Sequence, residues 1–381
     1  MATTAKLKVK DQDLLGTLRN VLKSILKQDD ISAVLVPWKP PTKAMAMPTL
    51  LTDADQMAYA DPLGPAFPMN SAKIVSRLTR KSTGGTIVAL IRPCEIRAFL
   101  ELVKLKQGRT EELILISSDC LGAMGNREFA EWMKDNGDNA TAVYIEQTLS
   151  GKESKAHDLK LTKACQACEF PVAENADINI GLFGMDASKE VVVQSFTEKG
   201  DHLLGLLRLP KTDAPASREK EIKRRIAEKT AFRDSMFTEV QEQIDSMDKL
   251  GAYLSNCVNC YNCRVACPVC YCRECVFVTD VFDHEPIQYL RWARRKGAVK
   301  MPTDTLLYHI TRLAHMSTAC VGCGQCTNAC PNDIPVMDLF RTVAHKTQRV
   351  FDYLAGRSIS ESPPMSEFKE DEFEEVVGIN T

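Results

Sequence analysis

The sequence predicts an N-terminal α/β domain, in which a partly parallel sheet carries flanking helices, followed by a mostly α-helical C-terminal domain. Three observations lead to this prediction. Apolar strand-like runs alternate with amphipathic helical stretches early in the chain, a long charged stretch follows, and eleven of the fifteen cysteines lie between Cys257 and Cys330. The expected parts are an α/β domain at 1–210, a helical connector at 211–255, a cysteine-rich domain at 256–356 and an acidic tail at 357–381.

The α/β prediction depends on continuous apolar runs, which are typical of parallel strands that are buried on both faces. The predicted strands are 33–36, 86–91, 113–116 and 142–145, and the predicted helices lie within 1–30, 71–80, 95–106 and 126–135. The Pro-rich stretch 37–68 is predicted to be irregular. Alternation of strands and helices favours an α/β fold over roughly 30–210.

Composition excludes several classes of function. The net charge is −2, which argues against binding to nucleic acid or to a membrane surface by the protein as a whole. No apolar run approaches the roughly 18 residues that cross a bilayer. The N-terminus has no apolar segment of the kind found in export signals. We therefore expect a cytoplasmic protein that does not itself span a membrane.

The strongest chemical signal is a repeated cysteine motif. The pattern Cys-x-x-Cys-x-x-Cys-x-x-x-Cys-Pro occurs at 257–268 and again at 320–331. This spacing is typical of [4Fe–4S] sites, and in two-cluster ferredoxins the fourth cysteine binds the other cluster. The predicted ligand sets are Cys257, Cys260, Cys263 and Cys330 for one cluster, and Cys320, Cys323, Cys326 and Cys267 for the other.

Structural zinc is the alternative for these cysteines, but zinc sites use two separated cysteine pairs rather than three closely spaced cysteines followed by Cys-Pro. Helices are predicted at 286–295, 304–316 and 336–354. This part of the chain resembles the α-helical ferredoxins of succinate dehydrogenase iron–sulfur subunits and of heterodisulfide-reductase-type subunits. It is therefore identified as a ferredoxin-like domain.

Three cysteines, Cys270, Cys272 and Cys275, exceed the number that two clusters need. They could hold further iron or zinc, or they could be free thiols that pack beside a cluster as small apolar groups. The sequence leaves both possibilities open. The nearby His284 is interpreted as a residue at a helix start rather than as a ligand.

The remaining four cysteines lie in the predicted α/β domain. Cys94 and Cys120 each follow a predicted buried strand, and the carboxyl ends of such strands are where α/β sheets place their sites. Cys165 and Cys168 form a Cys-x-x-Cys pair. These four could complete a third cluster, although buried free cysteines are also common.

Several segments of this domain resemble the β-subunit family of coenzyme F420-reducing hydrogenase and formate dehydrogenase, which includes 7-hydroxymethyl chlorophyll a reductase. The matching segments are Arg-Pro-Cys-Glu-Ile at 92–96, Cys-Gln-Ala-Cys-Glu-Phe at 165–170 and Ala-Glu-Asn-Ala-Asp-Ile-Asn-Ile-Gly at 173–181. The resemblance covers about 55–200. It implies an FAD and one [4Fe–4S] cluster at Cys94, Cys120, Cys165 and Cys168.

The resemblance also implies where a flavin would bind. The family's Ser-Gly-Gly loop corresponds to 68–73 here, so Asn70, Ser71 and Lys73 are predicted to hold the flavin pyrophosphate, with Arg92 close by. A plain helix cap at Asn70 or Ser71 is the alternative. The Ser-Gly-Gly residues themselves are not present, and the family's N-terminal ferredoxin segment is absent.

Together these features predict an electron-transfer subunit of a multi-subunit cytoplasmic oxidoreductase that passes electrons between FAD and several [4Fe–4S] clusters. The expected partners are formate dehydrogenase, hydrogenase or heterodisulfide-reductase-like subunits, and no nucleic acid. The alternative is an iron–sulfur relay without flavin and without a catalytic site of its own.

Overall fold

The computed structural model describes residues 3–40, 45–150 and 159–367. A seven-stranded sheet forms the N-terminal region, with the strand order β1-β7-β6-β5-β4-β2-β3. The strands are β1 (Thr3–Lys8), β2 (Ile31–Trp38), β3 (Met47–Leu51), β4 (Thr86–Leu90), β5 (Leu113–Ser118), β6 (Ile178–Gly181) and β7 (Glu190–Ser195). Strands β2, β4, β5 and β6 are parallel, and the remaining pairings are antiparallel.

Helices flank the sheet and make up most of the rest of the chain. In the N-terminal region the helices are Leu14–Leu26, Ala72–Leu78, Pro93–Lys104, Asn126–Asn136, Ala140–Leu149, Lys163–Gln166 and Glu198–Leu207. In the C-terminal region they are Ala216–Gln243, Met247–Tyr253, Asn262–Ala266, Pro286–Lys296, Thr305–Met316, Gln325–Asn328 and Val336–Val350. The predicted fold class, a partly parallel α/β sheet followed by a helical region, is confirmed.

Two local predictions were wrong. The stretch 142–145 is part of the helix Ala140–Leu149, whose buried residues recur at helical spacing (Ala140, Thr141, Tyr144, Ile145 and Thr148). A short apolar run cannot distinguish a strand from a buried helix. The stretch 37–68, predicted to be irregular, contains β3, which pairs antiparallel with the end of β2. The helix predicted within 1–30 is present as Leu14–Leu26, and an edge strand, β1, precedes it.

The N- and C-terminal regions are packed together rather than separated. One apolar cluster combines Ile96 and Phe99 of the helix Pro93–Lys104 with Leu339 and Phe340 of the helix Val336–Val350. Arg97 donates hydrogen bonds to the carbonyl oxygen of Ala355 at 3.0 and 2.8 Å. These contacts hold the cysteine-rich region against the carboxyl ends of the central strands.

The predicted connector consists mainly of the helix Ala216–Gln243, which we call the long helix. Its Arg218 is buried and forms an ion pair with the fully buried Asp119 at the end of β5. Most of the predicted acidic tail, from 368 onwards, lies outside the described residues. Among the residues that the structure describes, no helix is both long and apolar enough to cross a bilayer.

Candidate iron–sulfur sites

The first site lies at the carboxyl end of the sheet. Strands β4 and β5 are parallel neighbours, so Cys94 and Cys120, which follow them, lie side by side. Cys165 is in the helix Lys163–Gln166, and the backbone N–H of Cys120 donates a 2.7 Å hydrogen bond to the carbonyl oxygen of Pro171, just beyond Cys168. Parallel strand order and one short helix thus bring together four cysteines that are far apart in sequence.

The four cysteines line one cavity, and Cys323 of the second C-terminal motif lines it too. Burial raises the pKa of Cys94 well above its usual range, and the nearby thiols of Cys323, Cys120 and Cys168 add to this rise. Such thiols ionise reluctantly unless a metal takes the place of the proton. The four cysteines are therefore placed as ligands of one cluster would be. Cys323, which belongs to another predicted ligand set, lies next to them.

The second site brings together Cys320, Cys323, Cys326 and Cys267. Burial raises the pKa of Cys326 well above its usual range, and Cys267, Cys323 and Cys320 raise it further. Burial likewise raises the pKa of Cys323, with additional contributions from Cys267 and Cys320. The motif at 320–331 and the last cysteine of the motif at 257–268 therefore meet, as the crossed ligand prediction requires.

Glycines let the loop at 320–326 wrap closely around this site. Gly322 and Gly324 have φ angles of 68° and 80°, which side-chain-bearing residues rarely adopt. A Cβ on Gly324 would lie 2.5 Å from the Cβ of Ala164, next to Cys165. The loop of the second site is thus in direct contact with the loop of the first site.

The third site brings together the first motif and the end of the second. Cys257, Cys260, Cys263 and Cys330 line one cavity together with Tyr308 and His309. Cys260 is exposed, whereas Cys263 is buried. Burial raises the pKa of Cys257, and the nearby Cys263 and Cys330 raise it further. The third site therefore lies nearer to solvent than the other two.

Backbone amides point at several of these sulfurs. The N–H of Asn259 lies 3.5 Å from the Cys257 Sγ. Backbone N–H groups two residues after the cysteine also lower the pKa of Cys120, Cys267, Cys320 and Cys323, against the larger effect of burial. Hydrogen bonds to sulfur are among the features that tune iron–sulfur clusters.

One helix, Thr305–Met316, supplies three polar side chains to the third site. The Nε2 of His309 lies 3.4 Å from the Cys257 Sγ, and the Tyr308 hydroxyl lies 3.4 Å from the Cys263 Sγ. Arg312 donates to the Cys263 Sγ at 3.0 Å and to the Cys263 carbonyl oxygen at 3.2 Å. Burial lowers the pKa of His309 to about 4.

Arg312 also connects the second and third sites. Its guanidinium lies over the Phe340 ring, 4.6 Å from the centroid, in a buried position. It lowers the pKa of Cys267 and Cys326, which belong to the second site, while bonding Cys263 of the third. Sequence inspection did not single out this residue. Its spacing of one helical turn from Tyr308 and His309, just before the second motif, was the available signal.

Buried nitrogens without a partner cluster around these cysteines. Among the described residues they are Asn70 Nδ2, Arg264 Nε, His309 Nδ1 and Arg312 Nε. Arg264 follows Cys263 in the chain, and the Asn70 side chain lies near the Cys323 thiol, where it lowers the pKa of that thiol against the larger effect of burial. Unsatisfied buried donors are costly. Anionic clusters with several sulfur acceptors fit these donors, which supports the match between these sites and [4Fe–4S] groups.

The geometry is less suited to a single metal ion. In residues 3–40, 45–150 and 159–367, no three or more His, Cys, Asp or Glu side chains converge as ligands of one ion would. The four cysteines of the first site and the four of the third site each line a cavity.

The three additional cysteines differ in exposure. Cys272 is exposed, and Cys270 and Cys275 are partly buried against the apolar cluster that contains Ile96 and Leu339. Burial raises the pKa of Cys270, which is next to Cys267 and Lys73. This environment favours the interpretation of Cys270 as a thiol that packs beside a cluster ligand.

The residues predicted to hold a flavin pyrophosphate are hydrogen-bonded to other groups of the protein. The N–H of Ser71 donates to Glu95 Oε1 at 2.6 Å, and the N–H of Arg92 donates to Glu95 Oε2 at 2.7 Å. A carboxylate therefore occupies the place where an anionic phosphate was expected. The amide oxygen of Asn70 accepts from the N–H of Ala72 at 3.0 Å, and its nitrogen faces Cys323.

The two predicted cations at this place also have other partners. The Arg92 guanidinium donates to the carbonyl oxygens of Gly122, Gly64 and Ala66 at 2.6 to 3.0 Å. Lys73 Nζ donates to the Val265 carbonyl oxygen at 3.1 Å and faces Cys267. All four residues are thus engaged around the cysteine sites, and these contacts do not fit a pyrophosphate there.

Comparisons with known proteins find matches both to the C-terminal region and to the chain as a whole. Residues 253–334 match the family described as 4Fe–4S dicluster domain. This match covers both cysteine motifs and supports iron–sulfur clusters in the C-terminal region. Against solved structures, the fold is similar to a chain of the xenon-derivatised F420-reducing [NiFe] hydrogenase complex from Methanosarcina barkeri, with 12% identity, a TM-score of 0.47 and coverage of 62% of this chain and 92% of that chain.

Two curated relatives match nearly the whole chain. The F420-dependent formate dehydrogenase subunit beta of Methanocaldococcus jannaschii is 25% identical over 90% of this chain and 91% of its own length. The F420-dependent formate dehydrogenase 1 subunit beta of Methanococcus maripaludis is 26% identical over 92% of each chain. The predicted resemblance to this β-subunit family is confirmed, and the names are those of oxidoreductase subunits, in agreement with the predicted class.

Proposed function

We propose that this chain, a relative of those β subunits, is an electron-transfer subunit in which three [4Fe–4S] sites form a line. The Cys94 site is at one end, with Cys120, Cys165 and Cys168 as its other ligands. The site of Cys267, Cys320, Cys323 and Cys326 is in the middle. The site of Cys257, Cys260, Cys263 and Cys330 is at the other end. When bound, a [4Fe–4S] cluster accepts and passes on single electrons.

The observation that carries the proposal is the contact between neighbouring ligand sets. Cys323 lines the same cavity as Cys94. At the other junction, Arg312 bonds Cys263 and lies close enough to Cys267 and Cys326 to lower the pKa of each. A ligand of the middle site thus borders the first site, and one side chain, Arg312, lies near ligands of both the middle and the third site. Such short separations suit a relay between a donor and an acceptor.

The chain's own residues would set the properties of the sites. Cys94 and Cys323 are partly buried, and Arg92, Arg97 and Arg312 place positive charge beside the sulfurs. Positive charge and N–H donors stabilise an anionic cluster, and more so after it has gained an electron. The partners we propose are the catalytic subunits of a formate dehydrogenase or hydrogenase, or a heterodisulfide-reductase-like complex.

The test is the content of iron, acid-labile sulfide and flavin per chain after anaerobic purification. Three clusters correspond to about twelve iron and about twelve sulfide per chain. About eight of each would contradict the proposed ligand set of Cys94, Cys120, Cys165 and Cys168. The Cys94→Ser variant separates the sites, because it should lose about four iron and leave the other clusters intact.

A flavin-linked reductase is the second candidate, and the names of the two F420-dependent relatives favour it. The residues at 70–73 and Arg92 do not fit a flavin, so a flavin would need another place on the chain. About one flavin per chain after gentle purification would support this candidate. Flavin below a tenth of that amount, with full iron, would favour the iron–sulfur relay without flavin.

A further inference from the structure

The exposed apolar residues of this protein are concentrated near the third site. Among the described residues, 21 large apolar side chains are exposed, and eleven of these lie between 258 and 310. Val258 lies in the loop of the third site and is 58% exposed. Scattered exposed apolar residues are ordinary, whereas a concentration of them marks an interaction surface.

A groove lies in the same part of the molecule. It has a volume of about 520 Å³ and runs between the helix Met247–Tyr253, the helix Pro286–Lys296 and the start of the helix Thr305–Met316. Its apolar lining consists of Leu254, Phe282, Trp292, Val299, Leu306 and Leu307. A recess of this size and character suits an apolar projection from another protein.

Positive charge is concentrated along one wall of the groove, where Lys296 and Lys300 are lining residues, while Asp304 contributes a negative charge at the start of the helix Thr305–Met316. The segment 286–303 contains five basic residues and no acidic residue. These are Arg291, Arg294, Arg295, Lys296 and Lys300, and all five are exposed. Within the part of the chain that the structure describes, none of them forms an ion pair. By contrast, Arg224 and Arg225 of the basic run on the long helix pair with Glu221.

The groove adjoins the ligands of the third site directly. The N–H of Cys257 donates to the carbonyl oxygen of Leu254, a groove residue, at 3.0 Å. Lys300 Nζ donates to the Ser255 carbonyl oxygen at 2.8 Å. On the opposite wall, Asp304 accepts a 2.8 Å hydrogen bond from Asn259, whose N–H faces the Cys257 sulfur. A protein seated in the groove would be separated from the third site by one layer of residues.

From this arrangement we infer that the groove and its basic rim, together called the basic groove, form the docking surface for a redox protein or subunit with an acidic surface around an apolar centre. The inference rests on the proposed function, because it places the exchange of electrons at the third site. A recessed groove with an apolar floor and a cationic rim matches the anatomy of protein interfaces, in which Arg is enriched. A flat lipid surface could not fill such a recess.

The experiment uses the full cluster-loaded chain and, as the probe, a purified acidic two-cluster bacterial ferredoxin. The triple variant Arg291→Glu/Arg294→Glu/Arg295→Glu, called the rim variant, reverses three charges on the helix Pro286–Lys296, which supplies Trp292 and Lys296 to the groove. We expect the rate constant for electron transfer to the ferredoxin to fall at least about tenfold in this variant, and the wild-type rate to fall as salt is raised. Transfer to methyl viologen, a small dye that needs no docking surface, should change less than about twofold.

A matched control carries the same change of net charge at remote exposed positions. In Lys8→Glu/Lys211→Glu/Lys220→Glu, the ferredoxin rate should stay within about twofold of wild type, because only the charge near the docking surface steers the encounter. Equal losses in both variants would overturn the inference, as would an unchanged rate in the rim variant. Binding of the rim to vesicles of phosphatidylcholine and phosphatidylserine, without an effect on the ferredoxin rate, would also overturn it in favour of a membrane surface.

The proposed function can fail separately from the docking surface. Iron content and reduction by dithionite test the clusters without any partner. Calorimetric titration with the same ferredoxin tests docking without any electron transfer. If the wild type binds the ferredoxin, the rim variant does not, and the chain holds fewer than three clusters, the three-site relay is contradicted and the docking surface is supported. If the chain holds all three clusters and the rim variant binds the ferredoxin as well as the wild type does, the relay is supported and the docking surface is contradicted.

Discussion

The two ends of the proposed relay differ in how the fold encloses them. The Cys94 site is built at the carboxyl ends of parallel strands and covered by the long helix and by the loop at 320–326. The third site takes three cysteines from one short loop and Cys330 from the second motif, and its Cys260 is exposed beside a basic groove. The enclosed site therefore depends on the packing of the sheet and the long helix, whereas the exposed site depends on the two cysteine motifs and on the helix Thr305–Met316.

The largest effect is expected from breaking the enclosed site itself. Cys94→Ser should remove about four iron per chain, because a buried cluster that loses one thiolate has no solvent-derived ligand to replace it. Cys272→Ser is the matched control, since this exposed cysteine belongs to no proposed ligand set. Iron and sulfide analysis measures both. Equal iron in the two variants would contradict the assignment.

The next largest effect concerns the support of the enclosed site by Asp119. Its carboxylate accepts from Arg218, from Asn179 at 2.9 Å and from the N–H groups of Leu182 and Phe183 at 2.7 and 2.8 Å. Asp119→Asn should lower the free energy of unfolding by about 3 to 5 kcal/mol, because a buried cation loses its counter-charge.

Denaturant titration measures the loss at Asp119. As a control, Asp186→Asn changes an exposed carboxylate that pairs with Lys189 at the surface, and it should cost less than about 1 kcal/mol. A loss at Asp119 no greater than the loss at Asp186 would show that the buried pair does not hold the strand end in place.

A smaller effect, which depends on pH, is expected at Glu169, next to Cys168. Burial alone would raise the pKa of this carboxyl, but Arg341 and Arg233 hold it below its usual value. A lowered pKa means that the folded state gains stability above the unfolded pKa and loses it as pH falls through the folded pKa. Glu169→Gln should therefore cost about 3 kcal/mol at pH 7.

The difference in stability between wild type and Glu169→Gln should begin to shrink as the pH falls below about 4.3, the ordinary pKa of a Glu side chain, and should be smallest below the lowered folded-state pKa, where the wild-type carboxyl is neutral too. Thermal unfolding of the two proteins across this range measures it. A difference that stays constant with pH would mean that packing, and not the carboxylate charge, accounts for the loss.

At the exposed end, the smallest effect in energy is expected for Arg312. Arg312→Met removes a cation and a hydrogen bond to Cys263, so the reduction potentials of the second and third sites should fall by on the order of 60 mV, with the Cys94 site unchanged. Potentiometric titration followed by EPR measures the potentials. Arg312→Lys should restore most of the shift, whereas equal shifts in both variants would indicate a change of packing.

Features that depend on local sequence patterns could be predicted, whereas features that depend on packing between distant segments could not. The cysteine motifs are local, and Cys94 and Cys120 follow apolar strands whose parallel order puts them together. The sequence did not reveal Arg312, whose position depends on packing between helices that are far apart in the chain. The interpretation of 70–73 as a flavin loop overlooked Glu95, whose carboxylate reaches Ser71 from another helix.

The most direct test of the three-site relay is EPR spectroscopy of the fully reduced protein. We predict three reduced [4Fe–4S] clusters whose signals are broadened by spin–spin interaction, because Cys323 borders the Cys94 site and Arg312 contacts Cys263 and lies near Cys267 and Cys326. In Cys326→Ser, which removes the middle cluster, the two remaining signals should sharpen. Two clusters in the wild type, or three that show no interaction, would contradict the relay.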